Sequence, residues 1–153
     1  MREEMRVCRA DVEDLAVIAA LGTLLWPNHT AGELEKEFSL GMKKGSSFFL
    51  VFSSNTPIGF AQCGLRYDYV EGTQSSPVGY LEGVFIKEAY RGKGYARALL
   101  KACEEWSAKM GCDEFASDCE LANEKSRLFH LHTGFKEANR IICFTKKLEN
   151  PIR

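Results

Sequence analysis

One segment constrains the fold of this chain more than any other. "VFIKEAYRGKGYARALLKACEEW" places an apolar run, a basic glycine turn and an amphipathic pattern in direct succession at residues 84–106. Apolar residues of its second half recur at helical spacing, and Gly111 ends that pattern. The segment therefore predicts a strand that passes through a glycine turn into a helix whose first N–H groups lack intrahelical partners.

The glycine turn favours an anionic ligand. "RGKGYA" lets backbone N–H groups approach a ligand closely because glycine has no side chain, and Arg91 and Lys93 add positive charge. The turn matches neither the G-x-x-x-x-G-K-[ST] motif nor the G-x-G-x-x-G motif of nucleotide-binding loops. Taken alone, it fits a solvated basic turn as well as an anion site, and both interpretations stay open at this point.

The rest of the chain predicts a mixed α/β sheet with helices on its faces, in the order β-α-α-β-β-β-α-β-α-β. Asp11 caps a first predicted helix that ends by Pro27, and a second covers about residues 31–44. A short helix is predicted at "NEKSRLFHLH". The predicted strands are "MRVCRA", "SSFFLVFSS", "PIGFAQCGLRYDYV", "VGYLEGVFIK", "DEFASDCE" and "RIICFTKKL".

Size and charge exclude several classes of protein. The 153 residues are most simply one domain, 1–153. A net charge of −1 argues against a general nucleic-acid or anionic-membrane binder. Apolar runs are too short for a bilayer span. The six cysteines show no C-x-x-C spacing, which favours reduced thiols in the cytoplasm over a disulfide framework or a metal site.

The glycine turn resembles the GCN5-related N-acetyltransferases. Their motif Q/R-x-x-G-x-G/A is matched by Arg91, Gly94 and Ala96. The resemblance implies a mixed, mostly antiparallel sheet flanked by helices, with splayed central strands forming a cleft for acetyl-coenzyme A and no metal. The residues that it assigns to the coenzyme are Val84, Phe85, Ile86, Arg91, Gly92, Lys93, Gly94, Tyr95, Ala96, Arg97 and Asn123.

Further segments narrow the resemblance to the bacterial aminoglycoside 6′-N-acetyltransferases. "LLWPNH", "RYDYVEGTQSSPV", "LEGVF" and "EFASD" carry it over most of the chain, while residues 30–60 match loosely. It implies acetyl transfer to the 6′-amine of aminoglycosides, antibiotic resistance and a homodimer. It also implies drug contacts from Trp26, Tyr69, Glu82 and Asp118. Asn139 stands where that branch commonly carries glutamate.

The chemistry of amine acetylation nominates the catalytic residues. A free ammonium with a pKa of about 10 must lose a proton before it attacks a thioester, and a carboxylate can accept that proton. Asp118 and Glu82 are both candidates, although a turn aspartate and an outward-facing glutamate are the alternatives. His130 stands where the wider family often has a tyrosine that protonates the leaving thiolate. It is either that acid or a core histidine.

Two other functions remain open from sequence alone. An acetyltransferase of the same family that acts on a polyamine, another small amine or a protein N-terminus keeps the coenzyme residues but not the drug set. A non-catalytic coenzyme-A-binding regulator keeps the glycine turn and shows no turnover. No spacing nominates a serine or cysteine triad, so direct attack by the amine is the simplest mechanism.

Overall fold

A five-stranded sheet organises the computed structural model, which describes residues 4–152. The strands follow chain order across the sheet, antiparallel except for the parallel pair of β4 and β5. The predicted mixed, mostly antiparallel sheet is confirmed. The strands are β1 Met5–Arg9, β2 Ser47–Ser53, β3 Thr56–Arg66, β4 Val78–Ile86 and β5 Phe115–Ser117, and the helices are α1 Leu15–Leu25, α2 Ala31–Lys43, α3 Tyr95–Lys109 and α4 Glu124–His132.

The helix starts follow local capping signals. Asp11 accepts a hydrogen bond from the Glu13 N–H at 2.9 Å, as predicted, and the chain makes one 3₁₀ turn before α1. Thr30 accepts from the Glu33 N–H at 3.1 Å at the start of α2. Asp11 therefore caps the 3₁₀ turn that leads into α1, whereas Thr30 caps α2 itself.

The sheet is covered by helices on both faces. Phe38 of α2 and Ile18 of α1 belong to one core cluster with Phe48, Leu50 and Phe60 of the strands. Helix α3 packs across β1 to β4 and contributes buried apolar residues of its own. Side chains of β2 point alternately towards the two helical layers, and because both faces are covered the strand is buried along almost its whole length.

The chain divides into two compact units after Asp118. The first holds all five strands and α1 to α3, and the second, over the described residues 119–152, has α4 as its regular element. The prediction of a strand at "RIICFTKKL" is wrong, because residues 140–148 adopt no regular structure. A strand needs a hydrogen-bonding neighbour, and this unit supplies none among its described residues. The expectation of a single domain stays a prediction.

The cysteines differ in their exposure. Cys63 and Cys103 are fully buried, whereas Cys119 and Cys143 are exposed. Over residues 4–152, no helix has the length and apolar character needed to cross a membrane.

Candidate active site

The glycine turn presents open backbone at the start of α3. Gly92 and Gly94 have φ angles of +77° and +91°, a region that favours glycine. Gly94 is the N-cap of α3, and a Cβ built at either glycine meets no atom within 4 Å. The free N–H groups of a helix start carry partial positive charge. Open space in front of such a start fits the pyrophosphate of a coenzyme A.

Arg91 and Lys93, the two cations of the turn, make different contacts. The Nε of Arg91 donates to the Ile86 carbonyl oxygen at 2.8 Å, which ties the turn to the end of β4. Lys93 is exposed, with its Nζ 5.9 Å from the ring centroid of Tyr90. Tyr95 is buried beneath the turn. Lys93 is therefore placed to meet an anion in solvent, while Arg91 also shapes the turn itself.

The ladder between strands β4 and β5 ends halfway along β4. Their ladder covers only Gly79–Leu81 against Phe115–Ser117 among the described residues. Beyond it, Val84, Phe85 and Ile86 still pair with β3 on their other side. Within residues 4–152, no strand pairs with the edge of β4 that faces away from β3 over residues 84–86, which leaves room for an added extended ligand. The contact of these residues with the pantetheine arm stays a prediction.

A β-bulge in β4 lies next to the end of its ladder with β5. Gln62 pairs with Gly83 and Cys63 pairs with Leu81, so Glu82 is the extra residue of β4. A bulge redirects the side chain that it carries. A Cβ on Gly83 would lie 2.8 Å from Cζ2 of Trp26, so the tryptophan ring packs directly onto the β4 backbone.

A cavity of about 250 Å³ opens beside this bulge. Trp26 forms one wall, held edge-on against Phe38 and Phe60 at centroid distances of 6.1 and 6.0 Å. An aromatic wall with carboxylates suits an amine cation. The lining residues are Trp26, His29, Leu34, Glu37, Phe38, Gln62 and Glu82.

Five of these lining residues were not predicted as site residues, and three of the five are polar. Glu37 precedes the buried Phe38 in α2, Gln62 lies at the bulge, and His29 follows Trp26 in the loop before α2. In the sequence each looks like an ordinary solvated polar residue. The one local signal in the sequence is that His29 lies three residues after Trp26, which was predicted to contact the drug.

Asp118 and Glu82 belong to one chain of contacts, which we call the carboxylate network: Glu82, Arg66, Tyr80 and Asp118. Arg66 Nη2 donates to both carboxylate oxygens of Glu82, at 3.1 and 3.3 Å. The guanidinium carbon of Arg66 lies 3.4 Å from the ring centroid of Tyr80, whose hydroxyl donates to Asp118. Burial, followed by this bond to Asp118, raises the pKa of Tyr80, so the hydroxyl keeps its proton.

The structure leaves Tyr69 away from the cavity lining. Its side chain is 74% exposed, and its hydroxyl accepts from the Gly72 N–H at 3.4 Å. The predicted contact of Tyr69 with a drug stays a prediction.

The remaining predicted residues lie in the second unit. Asn123 caps α4 by accepting from the Ser126 N–H at 3.1 Å. The Nδ1 of His130 lies 2.6 Å from the Ser126 carbonyl oxygen, which can only accept, so Nδ1 carries the hydrogen. Asn139 accepts from the Arg140 N–H at 2.8 Å. The roles predicted for Asn123, His130 and Asn139 stay predictions.

Comparison with known proteins places this geometry among acetyltransferases. The family model of the acetyltransferase (GNAT) family matches residues 18–135. A curated relative from Stenotrophomonas maltophilia, aminoglycoside N(6′)-acetyltransferase type 1, is 38% identical over 92% of both chains. The solved structure of aminoglycoside N-acetyltransferase AAC(6′)-Iy in complex with CoA has a TM-score of 0.92 at 31% identity and covers 97% of this chain and 98% of its own. The same enzyme with the bisubstrate analogue CoA-S-monomethyl-acetylneamine has a TM-score of 0.87 at 32% identity, over 95% and 99%.

Proposed function

The chain belongs to the GNAT acetyltransferase family, and from that premise we propose that it transfers the acetyl group of acetyl-CoA to the 6′-amine of aminoglycoside antibiotics, which confers resistance. The observation that carries this proposal is similarity along nearly the whole chain to enzymes named for that activity. The cavity beside Glu82, next to the open edge of β4, supports it independently.

The glycine turn and the open strand edge hold the coenzyme. Backbone N–H groups at Gly92, Gly94 and the first turn of α3 receive the pyrophosphate, and Lys93 adds a charge-assisted contact. The edge of β4 over residues 84–86 receives the pantetheine arm. Bound acetyl-CoA supplies the activated acetyl group as a thioester. A backbone N–H of this edge stabilises the negative charge that develops on the thioester oxygen.

The carboxylates prepare the amine. An aminoglycoside arrives with its amines largely protonated, and ionised carboxylates attract and orient them. Either Glu82 or Asp118 accepts the proton of the attacking amine, directly or through a water molecule. His130 is the candidate that returns a proton to the departing thiolate, as the residue at the position of the family tyrosine.

We also propose a cytoplasmic homodimer. Several apolar residues of the second unit are largely exposed, with Ile142 at 81% and Phe144 at 88%, and their burial against a second copy of the chain would favour association. The buried thiols of Cys63 and Cys103 suit a reducing compartment. Sedimentation of the purified protein at several concentrations measures the oligomeric state.

An acetylation panel tests the function. The protein is mixed with acetyl-CoA and a kanamycin-like drug, a drug with a hydroxyl at the 6′ position, a polyamine or a peptide N-terminus, and free thiol is followed. Rapid turnover is expected for the kanamycin-like drug, with the acetyl group placed on the 6′-nitrogen by NMR, and poor turnover for the 6′-hydroxyl drug. Good turnover of the polyamine or peptide without acetylation of any aminoglycoside would replace this proposal by the alternative substrate class. Coenzyme binding without turnover of any amine would favour a regulator.

A further inference from the structure

The carboxylate network contains two residues, Arg66 and Tyr80, that the chemistry described so far does not use. The guanidinium of Arg66 is ion-paired with Glu82, and the raised pKa of Tyr80 keeps its hydroxyl protonated. Asp118 is therefore the carboxylate of the network that is bonded to a neutral hydroxyl rather than to a cation. Two carboxylates that look equivalent in the sequence differ in their electrostatic surroundings.

We propose that Tyr80 and Arg66 give the two carboxylates different tasks: Asp118, held by Tyr80, binds and deprotonates the substrate amine, while Glu82, neutralised by Arg66, is a wall of the cavity. This inference rests on the proposed function and names the residues that position its acceptor site. Tyr80 and Arg66 are positioning residues, since they act through the carboxylates.

The surroundings of Tyr80 fix where its hydroxyl points. The side chain is only 5% exposed and packs with Val70, Val78 and Ala116, while Arg66 covers its ring. A tyrosine hydroxyl on a clamped ring can move only within a small arc. The hydrogen bond to Asp118 thus holds an otherwise exposed carboxylate in one orientation. An oriented carboxylate loses less conformational freedom when it binds an ammonium.

The ion pair of Arg66 and Glu82 explains why Glu82 is the weaker partner for a drug. Arg66 Nη2 lies within hydrogen-bond distance of both carboxylate oxygens. The Glu82 side chain is 36% exposed, so the pair is reachable from solvent. An incoming ammonium has to compete with a cation that stacking on Tyr80 already places there. Asp118 presents no such competitor within the network.

A double-mutant cycle tests the link between Tyr80 and Asp118. Tyr80→Phe keeps the ring and removes the hydroxyl, and it should lower kcat/KM for the drug about tenfold, because a hydrogen bond to a charged group is lost. In an Asp118→Asn background the same change should alter kcat/KM less than about twofold, since the charged acceptor is gone. The affinity for acetyl-CoA, measured by calorimetry, should not change in any of these variants.

Tyr90→Phe is the matched control. It removes a hydroxyl from a tyrosine whose ring packs edge-on against Tyr95 rather than under Arg66. It should leave kcat/KM for the drug at the wild-type value. Thermal unfolding of every variant separates a loss of fold from a loss of positioning, and product is counted by mass spectrometry so that slow variants remain measurable.

A second experiment compares the losses of kcat/KM that follow removal of each carboxylate. Asp118→Asn should lower kcat/KM for the drug more than Glu82→Gln does. Independent effects of Tyr80→Phe and Asp118→Asn, or a larger loss from Glu82→Gln, would overturn the inference. A wild-type protein that acetylates no aminoglycoside refutes the proposed function instead, and the cycle is then run with whichever amine the protein does acetylate.

Discussion

Valine in place of Gly94 should separate coenzyme binding from folding. Gly94 has a φ of +91°, where a β-branched residue costs about 1–2 kcal/mol of stability. A Cβ at this position meets no protein atom within 4 Å, so the valine side chain clashes with nothing inside the protein. It does occupy the space through which a phosphate reaches the N–H groups at the start of α3.

The size of the effect follows from the bonds that are lost. Displacing the pyrophosphate from two backbone N–H groups removes two charge-assisted hydrogen bonds, about 3 kcal/mol together, or about a 150-fold weaker affinity. Gly111→Val is the matched control, because Gly111 has a φ of +94°, meets nothing within 4 Å and lies at the other end of α3. Both variants should lose similar stability in thermal unfolding.

Isothermal titration calorimetry with acetyl-CoA distinguishes loss of the pyrophosphate contact from general strain in α3. Gly111→Val should bind acetyl-CoA with wild-type affinity, and Gly94→Val should bind it about 150-fold more weakly. Wild-type affinity for acetyl-CoA in both folded variants would show that the turn does not receive the pyrophosphate. An equal loss in both would point to strain in α3 instead.

Three further predictions concern the amine side of the site. Gly83→Ala puts a Cβ 2.8 Å from Trp26 Cζ2, so it should lower the unfolding free energy by about 1–3 kcal/mol and lower kcat/KM for the drug. Gly32→Ala, where a Cβ meets nothing, should do neither in the same assays. Asn139→Glu should lower KM for the drug if this position helps to hold it, and an unchanged KM would remove Asn139 from the substrate site. Raising the salt concentration from about 0.05 to about 0.5 M shortens the Debye length about threefold and should weaken drug binding in calorimetry, whereas constant affinity would exclude charge pairing as its main source.

Local signals accounted for most of the fold. The caps at Asp11 and Thr30, the turn at Gly94 and the helical spacing after it act within a few residues. Such interactions can be read from a single chain because their partners are three or four positions away. The strand predicted at residues 140–148 fails for the opposite reason, since its apolar pattern has no strand to pair with in its own unit.

The candidate site was harder to predict, because its parts come from distant segments. Tyr80 and Asp118 are 38 positions apart, and Arg66 and Glu82 are 16 apart. Nothing near Tyr80 distinguishes it from any aromatic residue of a buried strand. The bulge at Glu82 depends on the register between β3 and β4, which one strand alone does not specify.

The charge of Glu82 can be read from the sequence, but its ion pair with Arg66 cannot. A carboxylate inside an apolar strand indicates either an outward-facing side chain or a functional group, and counting acids then suggests two equal anchors for a drug, Glu82 and Asp118. Arg66 changes that count, because it ends β3 directly across from β4 and its guanidinium meets both Glu82 oxygens. With Glu82 paired to Arg66, our proposal predicts that affinity for a polycationic drug depends more on the orientation of Asp118 than on the total number of acidic residues. The tyrosine hydroxyl that sets this orientation is therefore the contact on which discrimination between amines should depend most.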